Sequence, residues 1–253
     1  MNWVGLNTLI QREVGRFFSV YRQTVLPGLI SSALYIMIFG FTLEQRISEI
    51  QGIPYTLFIL PGLIMMNTLT NATANTSSSM LQMKLLQQLP DLLTAPLSGL
   101  EISIAYIIGG TIRGVVNGVL VLLLGVFLID MPVIDPLGTL GFIFLVSWAF
   151  ASMGLFLGQL AENWDQLSMM QNFFLTPLSF LGGVFYSITM LPEWAQSLSL
   201  INPIYYMING IRYTILGVSD SSVLISFIMA VILTLIFTFA AILLMQSGKK
   251  IKH

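Results

Sequence analysis

The chain has 253 residues, 56% of them hydrophobic and 8% charged, with a net charge of −1 and a mean hydropathy of +0.87. A water-soluble domain carries about 25% charged residues on its surface, so this composition excludes one and defines an integral membrane protein. Near-neutral charge offers no basic face to nucleic acid, and the absence of cysteine excludes disulfides, thiol nucleophiles and thiolate metal sites.

Residues 1–22 read as a helix lying on the membrane. Trp3, Leu6, Ile10, Val14 and Phe17 recur at helical spacing against Asn7, Arg12, Glu13 and Arg16, and such an amphipathic, arginine-bearing segment settles in the headgroup plane. A soluble tail is the alternative. No small-residue cleavage site follows Phe41-Thr42-Leu43, so a cleaved secretory signal is not expected.

Crossing about 30 Å of hydrocarbon takes roughly 20 residues. Charge-poor stretches supply six spans, at 24–43, 55–76, 102–128 (interrupted by Arg113), 137–160, 169–187 and 223–246. Arg12, Arg16, Arg22, Lys84, Lys249, Lys250 and Lys252 fall in the two tails and the 77–101 loop, whereas Arg46 and Arg212 share the other side with Glu44, Glu49, Asp130, Asp135, Glu193 and Asp220. The excess of cations places both termini and the 77–101 loop in the cytoplasm.

Span two carries Asn67, Asn71 and Asn75 at i, i+4 and i+8, with Thr70 and Thr73 beside them. Unsatisfied amides are costly in hydrocarbon, so this ladder must face protein or water. It is either glue between helices or a polar stripe lining a translocation path between two subunits.

The loop after it, 81–97, sets Leu81, Leu85, Leu86, Leu89, Leu92 and Leu93 at a 3/4 spacing with Lys84, Gln87, Gln88 and Asp91 between them. That pattern predicts a short amphipathic helix, kinked or restarted at Pro90 and closed at Pro96. Either it floats at the interface or it docks a cytoplasmic partner. The run Asp91-Leu92-Leu93-Thr94-Ala95-Pro96 resembles the cytoplasmic loop of the ABC-2 type permeases, the membrane subunits of ATP-binding-cassette exporters. That family often has Glu where Asp91 stands, and Pro90 is a further departure. Leu60-Pro61-Gly62-Leu63-Ile64-Met65-Met66 resembles the family's second span, and Thr176 to Tyr186 with Leu191-Pro192 and Asn202-Pro203 resembles its C-terminal signature.

The resemblance implies a coupling helix at 81–97, with Gln87, Gln88, Leu89, Asp91, Leu92, Leu93 and Pro96 seated in a groove of a separate ATPase. On that basis Leu92→Asp is expected to abolish docking without loss of membrane insertion. It also implies a homodimer with two ATPase copies in a bacterial inner membrane. ATP and Mg would be used by the partner, with no cofactor or metal on this chain.

Span three contains Gly110, Gly114 and Gly118, a small-xxx-small stripe that lets another helix approach closely, within the subunit or across a dimer. Arg113 lies about 17 Å past the start of the span at 1.5 Å per residue, where a cation must pair, snorkel or face a wet cavity. Asn117 shares its face. Between 176 and 212, Pro177, Gly182, Gly183, Pro192 and Pro203 break the chain repeatedly while Trp194, Leu198, Ile201, Tyr205 and Tyr206 keep it apolar. Short helices dipping back from the outer side fit this region (188–212), and the resemblance implies a re-entrant helical pair acting as an external gate. The alternative is an amphipathic loop on the outer leaflet.

An all-α, six-span transmembrane domain over 1–253 is therefore expected, exporting a hydrophobic compound, drug or lipid, or alternatively a lipid-linked polysaccharide. An ion-coupled carrier would need an acidic residue at mid-span, and none is present. An embedded enzyme would need a catalytic set. The only histidine is His253, the last residue, and no G-x-x-x-x-G-K-[ST] loop occurs.

Overall fold

The computed structural model describes residues 2–40 and 49–247 and is helical apart from one antiparallel strand pair, β1 (Glu49–Ile50) and β2 (Ile53–Pro54). Residues 41–43 of the expected first span, Glu44, Arg46 and the last lysines lie outside the described residues.

Helix α1 (Trp3–Ser19) begins where the Asn2 side chain accepts a hydrogen bond from the Gly5 backbone. The amphipathic helix forms as expected, but its buried seam is Leu6, Leu9, Glu13 and Phe17 rather than one led by Trp3. After α2 (Tyr21–Thr24), α3 (Leu26–Tyr35) opens at Pro27 and passes into a π-helical turn, Ile36–Gly40.

Helix α4 (Tyr55–Leu85) has 31 residues, about 46 Å at 1.5 Å per residue, so it outruns the hydrocarbon core. It continues past the expected end at residue 76 because its polar side chains satisfy themselves along the helix. Ser77 Oγ donates to Thr73 O at 2.7 Å and Ser78 Oγ to Asn75 O at 3.2 Å. The expected coupling helix over 81–97 is thereby corrected. Residues 81–85 end α4, Gln87 turns with φ +54°, and only α5 (Leu89–Thr94) is separately helical.

Helix α6 (Gly99–Ile129) starts from a capping box between Ser98 and Glu101, and the Asn2 backbone N–H donates to the same Glu101 carboxylate. Helix α7 (Pro136–Leu160) is capped by Asp135, and Lys84 Nζ closes its far end by donating to Gln159 O and Ala161 O at 2.9 and 2.7 Å.

The central helix, α4, packs chiefly on α6 and α7. The glycine stripe of α6 makes this possible. A Cβ at Gly110 would lie 2.5 Å from Thr76 Cγ2, and one at Gly118 would lie 2.3 Å from Thr68 Oγ1, so these glycines serve packing inside the subunit.

Helix α8 (Trp164–Leu181) replaces the expected span 169–187 with an earlier start and an earlier stop. Asp165, Gln166, Gln171 and Asn172 make it too polar to count with the five helices, among the described residues, that are long and apolar enough to cross a membrane: Tyr21–Phe39, Tyr55–Leu85, Gly99–Ile129, Pro136–Leu160 and Val223–Ser247. It runs along α4. Leu167 packs on Leu81, Gln171 Nε2 donates to Ser77 Oγ at 2.7 Å, and beyond its end Phe185 O accepts from Tyr55 OH at 3.1 Å.

The expected broken region resolves into a 3₁₀ turn (Ile188–Met190), α9 (Glu193–Ile201) and α10 (Pro203–Leu216). Helix α10 runs four residues beyond the expected boundary at 212 and stops at Gly217, φ +75°. Helix α11 (Val223–Ser247) then leaves, packing on α7 and α10.

Candidate coupling surface and polar column

Four polar or exposed arrangements lie along α4 from one end to the other. At its last turn, the connection to α5 turns Leu89 and Leu92 inward to join the core. Leu85, Leu86, Gln87, Gln88, Asp91, Leu93 and Pro96 remain exposed. Five of the seven expected docking residues thus form an open surface, whereas Leu89 and Leu92 hold that surface against its own subunit. Leu92→Asp would therefore report on folding as well as docking, and Leu93 is the exposed leucine of α5.

Beneath α1 sits a charge cluster that sequence reasoning assigned to the polar face. The Glu13 carboxylate is buried, accepting from Ser79 Oγ at 2.7 Å and from Arg12 Nη2 at 2.8 Å, with Arg16 Nε at 3.6 Å. Gly109 of α6 makes the space, since a Cβ there would lie 2.6 Å from Glu13 Cβ. Arg12 Nη2 also donates to Tyr106 OH at 2.9 Å. Burial works against the Arg12 charge, but Tyr106 and Glu13 outweigh it and leave its pKa above the ordinary value. Glu13, Arg12, Arg16 and Ser79 share a cavity of about 350 Å³ with Gln88, the residue preceding α5.

The asparagine ladder continues from there along α4. Asn75 accepts from Arg16 through O at 2.8 Å and Oδ1 at 3.2 Å. Asn71 Oδ1 accepts from Arg113 Nε and Nη2 at 3.2 and 3.1 Å, and Asn71 Nδ2 donates to Asn67 Oδ1 at 3.2 Å. Asn67 Nδ2 in turn donates to Ser32 Oγ at 2.8 Å and Gly28 O at 3.2 Å. Asn117, buried, bonds back to Arg113 O at 2.9 Å. All five residues lie in one column joining α1, α3, α4 and α6. Its middle opens on a cavity of about 330 Å³ lined by Asn67, Asn71 and Arg113. A smaller one of about 80 Å³, between α4 and α8, includes Thr70, Gln171, Asn172 and Thr176. Gln171 and Asn172 carried no sequence signal of their own, because their role depends on α8 lying against α4.

At the opposite end, Gly183 takes φ +77° and its carbonyl accepts from Arg212 Nη2 at 2.7 Å. Arg212 is buried over the Phe58 ring at 4.0 Å and pairs with Asp220 at 3.6 Å. Asp220 also accepts from Ser187 Oγ at 2.6 Å. Asn202, before Pro203, donates to Leu178 O at 2.6 Å. Gly182, Gly183 and Pro203 thus sit within one buttressed corner, Pro177 lies inside α8, and Pro192 begins α9. Arg212 and Asp220 were legible only as charges on the outer side.

A bundle of helices long and apolar enough to cross a membrane defines a multi-pass membrane protein. The sequence profile of the ABC-2 type transporters matches residues 5–216, and the chain belongs to that family. It is 38% identical over 250 residues to the inner membrane transport permease YadH of Escherichia coli (strain K12), covering 99% of this chain and 98% of YadH. Nodulation protein J of Sinorhizobium fredii (strain NBRC 101917 / NGR234) is 25% identical over 190 residues, covering 75% of this chain and 72% of that protein. Nodulation protein J of Rhizobium leguminosarum bv. viciae is 25% identical over 195 residues, covering 77% and 75%. The protein is therefore a multi-pass inner-membrane permease subunit, not itself catalytic, of a transporter that also requires an ATP-binding subunit.

Proposed function

We propose that two copies of this chain and two separate ATP-binding subunits form an ATP-driven exporter of a hydrophobic compound, drug or lipid. ATP and Mg belong to the partner. In this reading residues 1–253 are one transmembrane domain with both termini cytoplasmic, and α8 supplies a sixth crossing beside the five apolar helices.

The observation that carries the reading is the exposed surface of Leu86, Gln87, Gln88, Asp91 and Leu93 at the end of α4. A force applied there passes through the turn at Gln87 into α4, which carries Asn75, Asn71 and Asn67. The Glu13 cluster ties α1 to the same helix through Ser79. Dimerisation is supported by Asn172 and Thr176, which are exposed on one face of the subunit. Lipid satisfies no amide or hydroxyl, so a second copy or a water-filled path must cover them.

Leu93→Asp tests the docking assignment. Co-purification of the ATP-binding subunit is expected to fall at least about tenfold, the cost of a desolvated carboxylate in an apolar contact, while the permease inserts normally. Normal recovery of the ATP-binding subunit would remove the docking role. Uptake of a fluorescent hydrophobic dye into inverted vesicles is expected with ATP and not with an imposed proton gradient; uptake on the gradient alone would sink the exporter reading.

A further inference from the structure

The cavity between α3, α4 and α6 has one charged residue in its lining, Arg113. Two of the guanidinium nitrogens converge on a single neutral acceptor, Asn71 Oδ1. The ion pairs among the described residues use Arg12, Arg16 and Arg212, not Arg113. Glu13 is already engaged by Ser79, Arg12 and Arg16. Asn67 and Asn71 spend their amides on one another and on α3.

Arg113 stands at the middle of the 31-residue α6, where a cation without a counter-charge is costly. A guanidinium forks onto phosphate or carboxylate through two parallel bonds. The remaining walls divide into Ser31, whose hydroxyl can donate a hydrogen bond, and Leu63, Met66 and Tyr35, which suit a hydrocarbon chain.

We propose that this cavity binds an amphiphile with an anionic headgroup, phosphate or carboxylate, clamped by Arg113 with its chain along Leu63, Met66 and Tyr35. The inference rests on the exporter reading, because a headgroup reaches this depth when it is crossing the bilayer. It narrows the cargo from hydrophobic compounds in general to acidic amphiphiles. The same chemistry would also suit a resident acidic lipid, and the test separates the two.

The complex with its ATP-binding subunit is placed in phosphatidylcholine nanodiscs and titrated with dodecyl phosphate, with octaethylene glycol dodecyl ether as the neutral probe and dodecyltrimethylammonium as the cationic one. Native mass spectrometry is expected to find dodecyl phosphate retained about tenfold or more over both, the scale of a charge-assisted hydrogen-bonded contact. Arg113→Gln removes that preference and Arg113→Lys restores part of it. Ser31→Phe, at an exposed position on the cavity wall, weakens dodecyl phosphate binding without touching the arginine. Equal retention by Arg113→Gln, or a preference for the neutral probe, overturns the proposal. If bound dodecyl phosphate stimulates ATP hydrolysis, the site holds cargo; if it binds through Arg113 without stimulation, the site holds a resident lipid, and the headgroup assignment stands in both cases. Failure of the ATP-binding subunit to co-purify would instead count against the exporter reading, with headgroup binding still measurable on the permease.

Discussion

Removing the buried carboxylate of Glu13 is expected to loosen α1 from the bundle. Glu13→Ala leaves Ser79 Oγ without its acceptor and sets Arg12 and Arg16 side by side with no counter-charge. Breaking a fully buried pair costs about 3–5 kcal/mol. The Arg12 and Arg16 side chains retain 43% and 31% of their exposure, so water recovers part of the loss and about 2 kcal/mol remains. For a chain of this size that corresponds to a fall in Tm of about 4–8 °C. Glu13→Gln keeps the volume and the Ser79 acceptor and should lose about half as much. Gly109→Ala should resemble Glu13→Ala, because its Cβ would meet Glu13 Cβ at 2.6 Å and push α1 outward. The chain has no cysteine, so Leu9→Cys, in the seam beneath α1, gives a single reporter thiol. Maleimide labelling of that thiol should accelerate in the Glu13→Ala background. A Tm within about 1 °C of the parent and unchanged labelling would refute the view that Glu13 fastens α1.

Three further substitutions probe the rest of the bundle. Gly154→Ala would place a Cβ 2.4 Å from Thr73 O, and such overpacking should cost about 1–3 kcal/mol, seen as a lower melting temperature in detergent. Gly141→Ala meets nothing within 4 Å and should be neutral or stabilising by up to about 1 kcal/mol; similar losses in the two variants would contradict the packing of α7 on α4. Asp220→Asn strips the counter-charge from Arg212, whose side chain, like that of Asp220, is 1% exposed. A loss of about 3 kcal/mol is expected in thermal unfolding, with faster proteolysis after Leu181 as the sign that the outer corner has opened.

Much of the bundle was legible because hydrocarbon imposes one rule along the whole chain. Long apolar stretches must be helices, and their flanking cations set orientation. Asn67, Asn71 and Asn75 were legible as a column for the same reason, since their four-residue spacing fixes a face whatever it meets. Glu13 was misassigned because a local pattern places charges toward water, whereas a glycine on α6 and a serine on α4 created a buried berth for it. The end of α4 was drawn nine residues short because hydropathy falls at Ser77, while the serines bond back to their own helix and keep it going.

The sequence by itself determined the class of molecule, the apolar character of its long helices and the presence of a polar stripe. These depend on composition and on periodicity within one segment. Only the tertiary structure decided which leucines of α5 are buried and which is exposed, what Arg113 touches, and that Arg212 and Asp220 pair at the far end of α4. Those outcomes depend on the rotation and approach of helices far apart in sequence, where one absent Cβ or one left-handed residue moves a side chain from lipid or water into the core.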